Sequence, residues 1–130
     1  KPVDNVEVFL KETDRIPKAI ISNKYRYFIE QILNKFSFSH YFKEIYGRED
    51  FETNKPEPEP LLYVLEKFRT NRDRTVYIGD TVVDVTFSKN AGVRSCIIPS
   101  GASSLKEIII EDPDIIFYDY RGLFEKIQLL

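Results

Sequence analysis

Cysteine is almost missing from this chain. Cys96 is the only one in 130 residues, which excludes a disulfide framework and a cysteine-rich metal site. A reducing cytoplasm is the expected setting. An excess of one charge is also missing: 19 Lys and Arg against 21 Asp and Glu leave −2, and no basic stripe marks a nucleic-acid surface. No apolar run is long enough to span a bilayer, and no signal peptide is visible. Neither an internal repeat nor a low-complexity segment is present. The single histidine, His40, sits among Phe38, Tyr41 and Phe42 and reads as a connector residue rather than a base. Methionine is absent and the sequence begins at Lys1. Initiator Met is normally trimmed only before small residues, so the expectation is a fragment, a processed product or part of a longer chain.

What is present supports one packed domain. Hydrophobic residues make up 42% and aromatics 14%, and a chain of this size buries roughly two-thirds of its unfolded surface. Helical spacing of Val3, Val6, Phe9 and Leu10 predicts a helix over residues 2–12. Lys18 to Ser22 is short and nearly all apolar, the pattern of a strand buried on both faces of a parallel sheet. Tyr25, Phe28, Ile29, Ile32, Leu33 and Phe36 form one helical stripe over residues 24–36. Glu44 to Tyr46 is a second strand, ended by Gly47. Alternating Pro56, Pro58 and Pro60 call for extended backbone up to about residue 60. A helix follows over 59–68, with Leu61, Leu62, Leu65 and Phe68 facing inward. The remainder alternates: a buried strand at 75–78, a helix at 82–91 closed by Gly92, a strand at 95–99, a helix at 103–110, a strand at 114–117 and a final helix at 120–130. Alternation of this kind means βα units on a parallel sheet.

Chemistry concentrates at Gly79-Asp80-Thr81-Val82-Val83-Asp84. Asp80 leaves the C-terminal end of a strand, and Asp84 falls in the first turn of the next helix, where side chains tilt back toward the N-terminus. Ligands of open α/β sheets bind outside the carboxyl ends of the strands, and two hard oxygen donors there suit Mg2+. A structural alternative explains the same residues: Asp80 or Thr81 as an N-cap, with Thr81 and Asp84 as a capping box. Ser22-Asn23 closes the first strand ahead of a helix, where a hydroxyl and backbone N–H groups bind anions or simply cap. Lys55 stands before Pro56 in a stiffened loop. It is either a solvated loop charge or an ammonium held as a point charge against phosphate. Cys96 reads as a small core residue. Ser100-Gly101 after the fourth strand borders a ligand or is ordinary turn chemistry.

Taken in order, Ile20-Ile21-Ser22-Asn23, Lys55-Pro56-Glu57-Pro58, Gly79 to Asp84 and Ala91-Gly92-Val93 resemble the motifs of the haloacid dehalogenase (HAD) superfamily, nearest its phosphoglycolate-phosphatase-like branch. The resemblance covers about residues 16–120. It implies a three-layer, Rossmann-like parallel α/β core and a Mg2+-dependent phosphohydrolase that works through an aspartyl-phosphate on a small phosphorylated metabolite. Ser22 and the Asn23 backbone would hold the phosphoryl group, and Lys55 would neutralise its charge. Asp80 would bind Mg2+, and Asp84 would bind it through water or orient Lys55. Residues 1–15 would be the end of a cap or its linker, and residues 16–130 the C-terminal part of the core.

The family's first motif, an Asp-x-Asp carrying the nucleophile, has no counterpart here. Upstream of Ser22 the acids are Asp4, Glu7, Glu12 and Asp14, and none follows an apolar strand. The missing strand would lie mid-sheet, and without it the 18–22 and 75–78 strands stand roughly 10 Å apart, too far to pair. The core therefore lacks its central first strand and most of the cap, and the nucleophile is expected upstream. Two alternatives stay open: a non-catalytic relative that binds phosphate or a partner chain, and a phosphomutase or phosphonate-cleaving enzyme of the same fold.

Overall fold

The computed structural model describes residues 5–130. Among them helices and strands alternate: α1 (Val6–Glu12), β1 (Ala19–Ile21), α2 (Arg26–Lys35), β2 (Glu44–Tyr46), α3 (Glu59–Lys67), β3 (Val76–Gly79), α4 (Val82–Ala91), β4 (Arg94–Ile97), α5 (Leu105–Glu111), β5 (Ile115–Ile116) and α6 (Leu123–Gln128). The start of the first predicted helix, with Val3, lies outside the described residues. No described helix is long and apolar enough to cross a membrane. The chain forms two compact units, one running to Glu52 and taking in Asp119–Leu130, the other spanning Thr53–Tyr118.

In the first unit β1 and β2 pair in parallel, with Ile20 opposite Ile45, and α2 is the crossover between them. Phe9 and Leu10 are the buried face of α1. Phe9 meets Tyr120 with ring centroids 5.5 Å apart, and Asn5 Nδ2 donates to both carboxylate oxygens of Asp119 at 2.8 and 3.0 Å.

In the second unit β3, β4 and β5 form a parallel sheet in that order, with Ile78 opposite Cys96 and Cys96 opposite Ile115. Val85 of α4, Ile97 of β4 and Ile108 of α5 have no exposed surface and form a core cluster, with Val82 and Ile116 packed against it. Each such side chain contributes about 1.5–3 kcal/mol by leaving water. Cys96 is a fully buried core residue, as expected, and burial pushes its thiol up to about 12.

Four expectations need correction. β1 and β3 are half-buried, not buried strands. Each has a ladder on one side only among the described residues, whereas β4, paired on both sides, is buried from Ser95 to Ile97. Only Ile29 and Leu33 of the α2 stripe are buried; Tyr25, Phe28 and Ile32 are exposed. In α3 the buried face is Pro60, Leu61, Val64 and Leu65, so Val64 takes the place given to Leu62, because positions three and four apart share a helical face. The proline segment turns early rather than staying extended: Pro58 already has helical torsions (φ −78°, ψ −14°) and Pro60 sits in the first turn of α3. A proline's fixed φ suits that turn, and its missing N–H would have had no intrahelical partner there.

Candidate active site

The site in the second unit starts from a glycine. β3 ends at Gly79, Asp80 follows, and Thr81 is the N-cap of α4. A Cβ built on Gly79 would lie 2.4 Å from both Cβ and Cγ of Asp84. Only a residue without a side chain lets the Asp84 carboxyl fold back over the strand end. There Oδ2 accepts from the Asp80 N–H at 3.0 Å, the Thr81 N–H at 3.2 Å and the Thr81 hydroxyl at 3.2 Å. Of the capping box foreseen for Thr81 and Asp84, the Asp84 half is formed: its carboxylate accepts from the N-cap N–H, while the Asp84 N–H donates to the Thr81 carbonyl at 3.1 Å and not to its side chain.

The other oxygen of Asp84 faces a lysine. Oδ1 accepts from Lys55 Nζ at 2.8 Å and from the Tyr77 hydroxyl at 3.1 Å, and Nζ also donates to the Tyr77 hydroxyl at 3.0 Å. The Lys55 side chain is 15% exposed and that of Asp84 only 5%. Lys55 is thus no solvated loop charge. Its loop is fixed by a turn, Glu57 N–H to the Asn54 carbonyl at 2.9 Å, and by Asn90 of α4, whose amide donates to the Pro56 carbonyl at 2.9 Å. The Tyr77 and Phe87 rings lie 5.7 and 6.0 Å from the ammonium. Burial by itself pushes the Asp84 carboxyl up. The Lys55 charge and hydrogen bond, with the Asp80 and Thr81 amides, outweigh it and hold the group below its usual range. Burial, then the charge of Asp84, raises Tyr77 well above the usual phenol, so its hydroxyl stays a donor.

Tyr77 carries a role that the sequence reading missed. A signal was available: strand residues two apart share a face, so Tyr77 looks the same way as Gly79, and a buried tyrosine hydroxyl needs a partner. Tyr77→Phe keeps the ring and removes the hydroxyl from a buried triangle. Chemical unfolding is expected to show a loss of about 1–2 kcal/mol.

Asp80 is placed differently from Asp84. It is half-buried, and its Oδ2 accepts from the Ser100 hydroxyl at 2.7 Å. No described residue donates to its Oδ1. No cluster of three or more His, Cys, Asp or Glu suited to a metal occurs among the described residues. The donor chemistry fits Mg2+, which is commonly bound by one or two carboxylates with water and substrate phosphate completing the shell. Asp80 is the residue able to offer an oxygen, since both oxygens of Asp84 are already engaged.

Ser22 and Asn23 lie in the first unit. Neither caps α2, whose N-cap is Tyr25 and has no side-chain cap bond. Ser22 Oγ accepts from the Lys24 N–H at 3.1 Å. At the start of α2 the Arg26 N–H donates to Glu49 Oε1 at 2.9 Å, and this hydrogen bond holds the Glu49 carboxyl below its usual range. An acidic side chain already serves that helix end. His40 is exposed, and its ring lies 4.0 Å from that of Tyr41, tilted by 37°.

Residues 1–98 match the model of the haloacid dehalogenase-like hydrolases. This chain belongs to that family. Among curated HAD relatives, "Putative pyrophosphatase PpaX" of Caldanaerobacter subterraneus subsp. tengcongensis is 32% identical over 97% of this chain and 57% of its own length. The phosphoglycolate phosphatase of Vibrio cholerae is 29% identical over 82% of this chain and 47% of its own length. Among solved structures, a "predicted phosphoglycolate phosphatase" from Haemophilus somnus superposes with a TM-score of 0.90 at 25% identity, over 96% of this chain and 56% of that one. The fold is therefore the Rossmann-like parallel α/β core of HAD proteins. The chain spans about half the length of the curated relatives it matches.

Proposed function

We propose that this chain belongs to a Mg2+-dependent phosphohydrolase that cleaves a small phosphate monoester through an aspartyl-phosphate, in the manner of the phosphoglycolate-phosphatase-like HAD enzymes. Residues 16–130 are then the later part of the core and residues 1–15 the end of a cap or linker. The supporting observation is the 2.8 Å contact between Lys55 and Asp84, which draws a lysine from a distant loop to the strand end that bears Asp80. An ammonium and a carboxylate at one strand end, partly shielded from water, act more strongly on a phosphoryl group than they would in bulk solvent.

The roles of Lys55, Asp84 and Tyr77 follow from what each side chain already touches. Lys55 neutralises phosphoryl charge, and Asp84 with Tyr77 fixes where its ammonium sits. Asp80 holds the ion, which when bound supplies positive charge to the phosphoryl oxygens. Ser22 and the Asn23 backbone bind the phosphoryl group, as the family motif implies. A cytoplasmic setting, in which the buried Cys96 stays reduced, completes this reading.

Asp80→Asn is expected to lower turnover of a generic aryl phosphate by about 100-fold or more. Unchanged turnover would overturn the reading. A non-catalytic relative that binds phosphate or a partner chain is the second reading. It takes precedence if Mg2+ or phosphate raises the melting temperature while no aryl phosphate is hydrolysed.

A further inference from the structure

The loop between β4 and α5 reaches back to the strand end at two points. Ser100 Oγ donates to Asp80 Oδ2 at 2.7 Å. The Ala102 N–H points at the same Ser100 Oγ from 3.5 Å, leaving the hydroxyl proton directed toward Asp80. Three residues on, Ser103 Oγ accepts from the N–H of Val82, the first residue of α4, at 3.2 Å. One serine thus holds the Asp80 side chain and the other holds the backbone that follows it. Gly101 supplies the left-handed torsion of the turn (φ +96°), and Ser104 rather than Ser103 caps α5.

We propose that Ser100 is a positioning residue for cation binding: by taking Oδ2 of Asp80 it presents Oδ1 to the ion. This rests on the reading of Asp80 as the cation's ligand. A half-buried carboxylate without a partner samples several rotamers, and a ligand that must first be ordered binds less tightly. A hydroxyl on one oxygen fixes the rotamer, leaving the second oxygen's lone pairs for the metal, as partners of metal-binding carboxylates do elsewhere.

The test is Mg2+ titration of the chain by calorimetry, with wild type, Ser100→Ala, Ser100→Thr and Asp80→Asn side by side. Ser100→Ala is expected to weaken Mg2+ affinity by roughly 10-fold, and Ser100→Thr, which keeps the hydroxyl, to restore most of it. The metal-free melting temperature of Ser100→Ala is expected to match wild type, because Ser100 is exposed and buries no apolar surface. Equal affinity in Ser100→Ala and wild type, with binding lost in Asp80→Asn, overturns the role of Ser100 and leaves Asp80 as ligand. Full affinity in Asp80→Asn, or no Mg2+ binding by wild type, overturns the parent reading and this one with it.

Discussion

Gly79→Ala is expected to lose at least about 3 kcal/mol of stability, the upper range for forcing a methyl into filled space. At roughly 4 °C per kcal/mol for a chain of this size, the melting temperature should fall by about 12 °C. The cause is space and not torsion. Gly79 is absent from the positive-φ glycines, which are Gly92, Gly101 and Gly122, so alanine can adopt its backbone. What it meets is the Asp84 side chain at 2.4 Å, and again at 2.6 Å from Oδ2. Relief requires Asp84 to swing away. That removes the acceptor of the Asp80 and Thr81 amides and the partner of Lys55 together. The variant should therefore lose Mg2+ or phosphate protection as well as stability. A melting temperature within 3 °C of wild type would show that the strand end yields without moving Asp84.

Lys55→Met is expected to cost a comparable amount. It keeps most of the apolar stem and removes the charge, leaving the Asp84 carboxylate buried beside an uncharged side chain. Breaking one partner of a buried ion pair typically costs about 3–5 kcal/mol, and the 5% exposure of the Asp84 side chain places this pair in that class. The double variant Lys55→Met with Asp84→Asn should be more stable than the sum of the two single losses, since no unpaired charge is left. A pH series supplies an independent check. With its folded pKa held below the ordinary 3.8, Asp84 contributes stability that is complete above pH 3.8 and is lost as pH falls through the lowered value. In Lys55→Met burial still raises that pKa while the lysine no longer opposes it, so the acid loss of stability should shrink. An unchanged acid limb and additive single losses would mean that the pair contributes nothing beyond its neighbours.

Much of this was legible in the sequence, and the reason differs by element. The βα alternation could be read because apolar runs and glycine or proline punctuation are local. Asp80 and Asp84 could be read because four residues across a strand–helix junction fix their neighbourhood. The partnership of Lys55 with Asp84 spans 29 residues. Only the motif resemblance anticipated it, since no local rule says where a loop lysine lands. Tyr77 was hidden because an aromatic in a strand reads first as core packing. The depth of β1 and β3 was overstated because an apolar run reports what a strand can bury, not how many neighbours cover it. The exposed Phe28 and Ile32 were misjudged for the same reason.

The two aspartates of the Gly79–Asp84 segment are unequal in what they owe to folding. Asp84 caps α4 and neutralises a buried ammonium, whereas Asp80 holds no helix and touches one exposed serine. A library of variants sorted only for intact, abundant protein would therefore discard changes at Asp84 and keep most changes at Asp80. Only a second sort, for ion or phosphate binding, would expose Asp80. The residue that matters most to the proposed chemistry is the one that a screen for expression alone would rank as dispensable.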